Sequence, residues 1–175
     1  MRILIVLALW AGAAHAWPSP QAPAVPEASG YVHIDGAPFT PTPHDTYKAV
    51  FNATQGAGRP GDLVPALDNL ASELNALAVE HVPLARAQFA VVFHGGALDG
   101  ILDDAHYKAK FGVPNPNLPV LRKLKAQGTG LYVCGQNLVA ADVDPKTLTP
   151  EVTVASDALL VLIALQQKGY AQLDF

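Results

Sequence analysis

The sequence predicts an α/β fold, a parallel sheet with helices on both faces, and three observations predict it. Short β-rich or apolar runs (Tyr47 to Ala53, Ala87 to Phe93, Gly130 to Cys134) alternate with stretches of helical period. Between the first two runs, Leu63, Leu67, Leu70, Leu74 and Leu77 recur at spacings of four, three, four and three, which draws one apolar stripe along a helix. Ala87 to Phe93 is an apolar run too continuous for a half-exposed strand, so both of its faces should be covered, as in a parallel sheet. Strands alternating with helices of this length imply such a sheet sandwiched between helical layers.

The fold proper is expected over 44–175. Ahead of it, Met1 and Arg2 give a short positive start, Ile3 to Ala14 is an apolar or small stretch of twelve residues, and Ala14-His15-Ala16 supplies a small-x-small cleavage pattern. These are the parts of a secretory signal over 1–16. The apolar stretch is shorter than the roughly 20 residues that span a bilayer, and no membrane anchor is expected. Cleavage near Ala16 would leave a periplasmic or secreted chain. Residues 17–43 hold seven prolines and no Lys or Arg, and read as an extended arm or linker in which Tyr31 to Ile34 is an edge-strand candidate.

The elements then follow in order. Tyr47 to Ala53 is the first strand, closed by the glycine-rich turn Gly56 to Gly61, and Asp62 is placed to cap the leucine-striped helix. Ala87 to Phe93 ends at His94-Gly95-Gly96. Asp99 to Lys110 and Leu118 to Gln127 read as two helices parted by Pro114-Asn115-Pro116-Asn117, with Gly128 closing the second. Gly130 to Cys134 is the third strand and Leu138 to Val143 a short helical turn. Val152 to Val154 is a fourth strand, Ser156 caps a helix running to Lys168, and Tyr170 to Leu173 is a fifth strand. The last helix is apolar nearly all round, from Ala158 to Leu165, and a small domain seldom buries such a helix alone. A homo-oligomer is the expected remedy.

Charge narrows the partners. Without Arg2 there are ten Lys/Arg against fifteen Asp/Glu, with the basic residues scattered, so neither a nucleic-acid nor an anionic-membrane surface is expected. The single cysteine, Cys134, excludes an internal disulfide framework. An inert buried thiol, an intermolecular disulfide and a reactive thiol all remain open.

Ligands of open parallel sheets bind at the carboxyl ends of the strands. That edge would collect Asn52, Thr54 and Gln55 from the first strand, His94 and Gly95 from the second, and Cys134, Gly135, Gln136 and Asn137 from the third. A thiol just before a helical turn meets backbone N–H groups that favour the reactive thiolate. Gly135, without a side chain, would let a substrate approach the sulfur. His94 is a candidate base or orienter for Cys134. Asp103 and His106 have a metal-like spacing but no second pair, so no metal site is expected. Gly56 to Gly61 matches G-x-G-x-x-G, yet the second strand ends in Phe93-His94-Gly95 rather than in the acidic residue a dinucleotide ribose needs. No cofactor is expected.

The succession Val91-Val92-Phe93-His94-Gly95, Asn115-Pro116-Asn117-Leu118 and Leu131-Tyr132-Val133-Cys134-Gly135-Gln136, with the ending Gln166-Gln167-Lys168-Gly169-Tyr170-Ala171, resembles the DsrE/DsrF-like family over Tyr47 to Phe175. The resemblance implies a three-layer α/β/α fold with a mainly parallel five-stranded sheet, assembled as trimers or hexamers. Its sulfur-relay members accept a sulfane sulfur on a strand-end cysteine as a persulfide and pass it on. Cys134 matches that position, and His94 and Gln136 match recurrent neighbours. The implied protein is a periplasmic sulfur carrier, sulfurtransferase-like, working with a sulfur donor or acceptor protein. Gly95, Asn117, Gly135, Gln136 and Asn137 would form its substrate-binding surroundings. Relay members are cytoplasmic, so the leader and the proline-rich arm are departures. Two alternatives stand beside this one: a non-catalytic module holding a small ligand or a soft metal such as copper(I), and a scaffold in which Cys134 is merely buried.

Overall fold

Five strands make one sheet in a computed structural model that describes residues 17–175: β1 (Tyr47–Ala53), β2 (Ala87–Phe93), β3 (Gly130–Cys134), β4 (Thr153–Ala155) and β5 (Ala171–Asp174). Their order is β4-β3-β2-β1-β5, and every neighbouring pair is parallel. The expected leader, 1–16, lies outside the described residues. Among those described, no helix is long and apolar enough to cross a membrane.

Alternation along the strands divides the core in two. Ala49, Phe51 and Ala53 of β1, Phe89, Val91 and Phe93 of β2, and Leu131 and Val133 of β3 face the larger core. That core is roofed by α1 (Pro65–Val79), whose Leu67, Leu70, Leu74 and Leu77 are buried as the stripe predicts, and by α3 (Asn117–Ala126). The opposite residues, Val50, Ala90, Val92 and Cys134, meet Ala158 and Leu162 of α5 (Ala158–Gln167). The β4–α5–β5 crossover carries the chain from one sheet edge to the other. One helix therefore packs on the second face, against β1, β2, β3 and β5, and Leu159, Leu160 and Ile163 on its outer side are 62%, 60% and 51% exposed.

Several boundaries differ from expectation, each for a local reason. Asp62 does not cap α1. Its carboxylate is held by Arg59 at 3.0 Å, and the helix starts at Pro65, whose fixed φ and missing N–H suit the first helical position. The stretch read as one helix from Asp99 is a 3-10 turn, Gly95–Ile101, followed by α2 (Asp104–Phe111). Asp103 accepts the His106 N–H at 2.8 Å and starts a new helix there. The turn expected at Leu138 begins earlier, as α4 (Gly135–Ala140), directly after β3. Asp157, not Ser156, caps α5 by accepting the Leu159 and Leu160 N–H groups.

The proline-rich arm is irregular, as its composition dictates, but it is bound to the domain. Tyr31 makes a single antiparallel bridge with Gln21 rather than an edge strand. Val25 is 1% exposed and belongs to the larger core. Buried Asn75 of α1 satisfies the arm's backbone. Its Oδ1 accepts from Ala24 and Val25 at 2.9 and 2.8 Å, and its Nδ2 donates to the carbonyls of Val25 and Ser29 at 3.1 and 3.0 Å. Asp68 takes the Ser29 N–H and hydroxyl, and Lys123 reaches Glu27.

Candidate functional site

Cys134 closes β3 and is itself the N-cap residue of α4. Its side chain falls on the α5 face, where Sγ accepts the Ala158 N–H at 3.3 Å. That amide is the first of α5, so the sulfur sits at the positive end of a ten-residue helix, where negative charge is favoured. The residue is only 5% exposed. An open groove of about 720 Å3 starts at the next residues, Gly135 and Gln136, and runs between α4 with the loop after it and Val154 to Ser156; Cys134 itself does not line it.

The sheet order makes His94 the neighbour of Cys134. The β2–β3 register pairs Phe93 with Val133. Continued by one residue it sets His94 level with Cys134, on strands spaced by about 4.8 Å. His94 retains extended backbone, so alternation turns it to the same face. No hydrogen bond joins the two side chains among the described residues. Instead His94 Nε2 lies 2.7 Å from Asn52 Oδ1, and Asn52 Nδ2 donates to Asp174 Oδ1 at 2.7 Å. Gln172 Nε2 also donates to Asp174, at 2.8 Å, and Gln166 of α5 donates to Gln172. Donation by Asn52, then by Gln172, holds the Asp174 carboxyl below the usual carboxylate value.

The remaining expected residues have defined positions. Asn137 Oδ1 accepts the Gly95 N–H and so ties α4 to the turn after β2, where Gly95 adopts φ +57°. Gln136 Nε2 donates to the Ser156 carbonyl at 3.3 Å, linking the two segments that meet at the sulfur. Gly135 is needed for a close approach, but of backbone rather than substrate: a Cβ there would lie 2.7 Å from the Ala155 carbonyl oxygen. Asn117 is a correction. It is fully buried on the larger-core side, where Oδ1 accepts from Val64 N at 2.9 Å and Nδ2 donates to Asn115 Oδ1 at 3.0 Å. Its amide joins the start of α1 to that of α3, and it does not surround the sulfur. Of the expected set, Cys134, His94, Gly95, Gly135, Gln136 and Asn137 gather at the edge.

Two contributors escape a reading of the sequence. The Ala158 amide has no signature, because any residue but proline supplies it. Asp174 becomes visible only once β5 is known to pair with β1. The carbonyl of Phe175 accepts from Thr54 N and Gln55 N, at 2.7 and 3.2 Å, and fixes that pairing at its end. Among the described residues no three His, Cys, Asp or Glu side chains gather to hold a metal ion, and Asp103 and His106 are engaged in capping α2.

A strand-end cysteine under a helix N-terminus, at the carboxyl edge of a five-stranded parallel sheet, defines a class of three-layer α/β proteins. The chain belongs to the DsrE/DsrF-like family, whose model matches residues 47–175. Among solved structures it is similar to MTH1491 of Methanobacterium thermoautotrophicum, a protein of unknown function, with 19% identity and a TM-score of 0.53 over 74% of this chain and 99% of that one. It is also similar to the YchN protein of E. coli, at 16% identity and a TM-score of 0.45, over 74% of this chain and 100% of that one. Comparison with curated proteins gives no match. Family membership fits a sulfur-relay-like role.

Proposed function

We propose that the protein is an exported sulfur carrier that holds a sulfane sulfur on Cys134 as a persulfide. The observation that carries this reading is the 3.3 Å donation from Ala158 N–H to Sγ at the N-terminus of α5. A sulfur placed there is complemented as an anion, both as the attacking thiolate and as the thiolate released when the sulfur is passed on. With a persulfide donor R–S–S⁻, the Cys134 thiolate attacks the outer sulfur, the donor S–S bond breaks, and RS⁻ departs. No oxidant is consumed. Delivery to an acceptor thiolate runs the same exchange in reverse.

Burial of the thiol sets a condition on this chemistry. At 5% exposure the sulfur meets a donor only when the segments flanking it part, and Gly135, Gln136 and Ser156 of those segments line the neighbouring groove. Partial sealing also suits a carrier, because a persulfide open to solvent loses its sulfur to any small thiol. The exposed outer side of α5 supports assembly of several chains through that helix, and the leader pattern over 1–16 supports export.

Cyanide treatment of protein loaded with polysulfide tests the proposal. Cyanide removes the outer sulfur as thiocyanate and returns the thiolate, so about one thiocyanate per chain is expected from wild type and none from Cys134→Ser. Equal release from both would refute it. In the soft-metal alternative Cys134 and His94, level on neighbouring strands, would be the ligand pair. Stoichiometric copper(I) uptake lost in His94→Ala, without persulfide formation, would favour it.

A further inference from the structure

We propose that Asn52 and Asp174 are positioning residues that hold neutral His94 as its Nε2–H tautomer, leaving Nδ1 as the proton acceptor of the Cys134 site. The direction of each hydrogen bond follows from chemistry. Asp174 lies below the usual carboxylate value and so is an anion at neutral pH, able only to accept. The Asn52 atom 2.7 Å from it must therefore be the amide nitrogen. That orients Oδ1 of Asn52 toward His94, and an amide oxygen only accepts, so the proton between them belongs to His94 Nε2 at 2.7 Å. Nδ1 then carries the lone pair, and it has no hydrogen-bond partner among the described residues.

The chain is anchored at both ends. Gln172 donates a second hydrogen bond to Asp174, and Gln166 of α5 donates to Gln172, so the carboxylate is held from two sides and linked through Gln172 to the helix that covers the sulfur. The β1–β5 register places Asp174 directly beside Asn52.

This inference rests on the carrier reading for its consequence. It specifies an acceptor that arrives as a protonated thiol, R–SH. The proton passes to His94 Nδ1, the resulting thiolate attacks the outer sulfur of the Cys134 persulfide, and the S–S bond to Cys134 breaks. R–S–S⁻ leaves, and the Cys134 thiolate remains under the Ala158 amide. Imidazolium formed on His94 shares its Nε2 proton with Asn52, whose amide is in turn held by the Asp174 anion, the arrangement by which carboxylates commonly orient a working histidine.

The test combines a spectroscopic and a kinetic readout. Long-range proton–nitrogen-15 spectra of the imidazoles, with His94 assigned by comparison with His94→Gln, should show neutral His94 as the Nε2–H form alone. Asp174→Ala and Asn52→Leu should release it into a tautomer mixture. Both should slow transfer from loaded protein to a small thiol roughly 10- to 100-fold, the scale of loss when a partner that orients a histidine is removed. Because Asp174 is exposed, its variant is expected to melt as wild type does. An Nδ1–H form in the wild type, or wild-type transfer rates in both variants, overturns the inference. Failure of loading in wild type would sink the carrier reading instead, while leaving the tautomer result to stand alone.

Discussion

The sulfur of Cys134 and the amide of Ala158 meet because two chain segments distant in sequence end at the same corner of the sheet. Gly135 makes the corner tight enough, since its missing side chain is replaced by the Ala155 carbonyl. Gln136 then spans the two segments through the Ser156 carbonyl, a solvent-exposed hydrogen bond of the kind that contributes little to stability but can hold a turn shut. Gln136→Ala should raise the rate at which a thiol reagent labels Cys134 under native conditions several-fold, with an unchanged melting temperature. Labelling at the wild-type rate would place the opening elsewhere. A second residue-scale expectation concerns the arm. Hydrogen bonding to Glu80, and next its charge, raise the His33 pKa above its ordinary value, with Asp35 adding to the effect. A raised folded-state value stabilises the charged, arm-bound form. The contribution is complete below the unfolded value near about 6.5 and disappears as pH climbs through the folded one. Amide exchange at residues 31–35 should therefore quicken, beyond its intrinsic pH dependence, between about pH 6.5 and the folded value. In His33→Gln this extra rise should be absent.

At the scale of elements, the arm and α1 behave as one unit through Asn75. All four hydrogen-bonding groups of its amide are used, and removing them strands buried backbone donors and carbonyls of residues 24–29. Asn75→Ala should lower stability by about 2–6 kcal/mol, at about 1–3 kcal/mol for each of the two fully buried Val25 groups left unsatisfied, and should open the arm to proteolysis before the domain unfolds. Retention of wild-type stability would mean that the arm is merely draped over α1. The composition of 17–43 shows why no helix or central strand forms there. It cannot show attachment, because the residue that satisfies the arm's buried backbone is an asparagine 50 residues further on. Element existence was far more legible than element ends. The leucine stripe of α1 and the continuous run of β2 depend on burial of whole faces, which period reports well. Whether Asp62 caps, or Pro65 starts, or Asp103 breaks a helix in two depends on which of two neighbouring residues wins a local hydrogen bond. The sequence contains both options.

At the scale of the molecule, the sheet order decides what the site contains. With β3 beside β2 and β2 beside β1, the residues grouped at the strand ends on sequence grounds do share an edge. Asn117 shows the limit of such grouping. Its Pro-Asn-Pro-Asn context resembles a site loop, yet its amide faces the other layer, because it opens α3 rather than ending a strand. Asp174 shows the converse, since only the β5–β1 pairing brings it into the site. The apolar helix α5 was readable as a surface needing cover, and one side of it remains open in the single chain. We expect wild type to elute as an oligomer at micromolar concentration, with burial of each such leucine contributing about 1.5–3 kcal/mol. Leu160→Glu should yield a folded monomer of nearly unchanged secondary structure. A monomeric wild type would remove α5 as an interface.

Intact mass of the purified chain after exposure to polysulfide, recorded under non-reducing conditions, bears most directly on the central claim. The account predicts a gain of one sulfur atom that a reducing thiol reverses and that Cys134→Ser does not show. A folded wild-type chain that gains no mass with any sulfane donor, while its cysteine remains a free thiol, would contradict it.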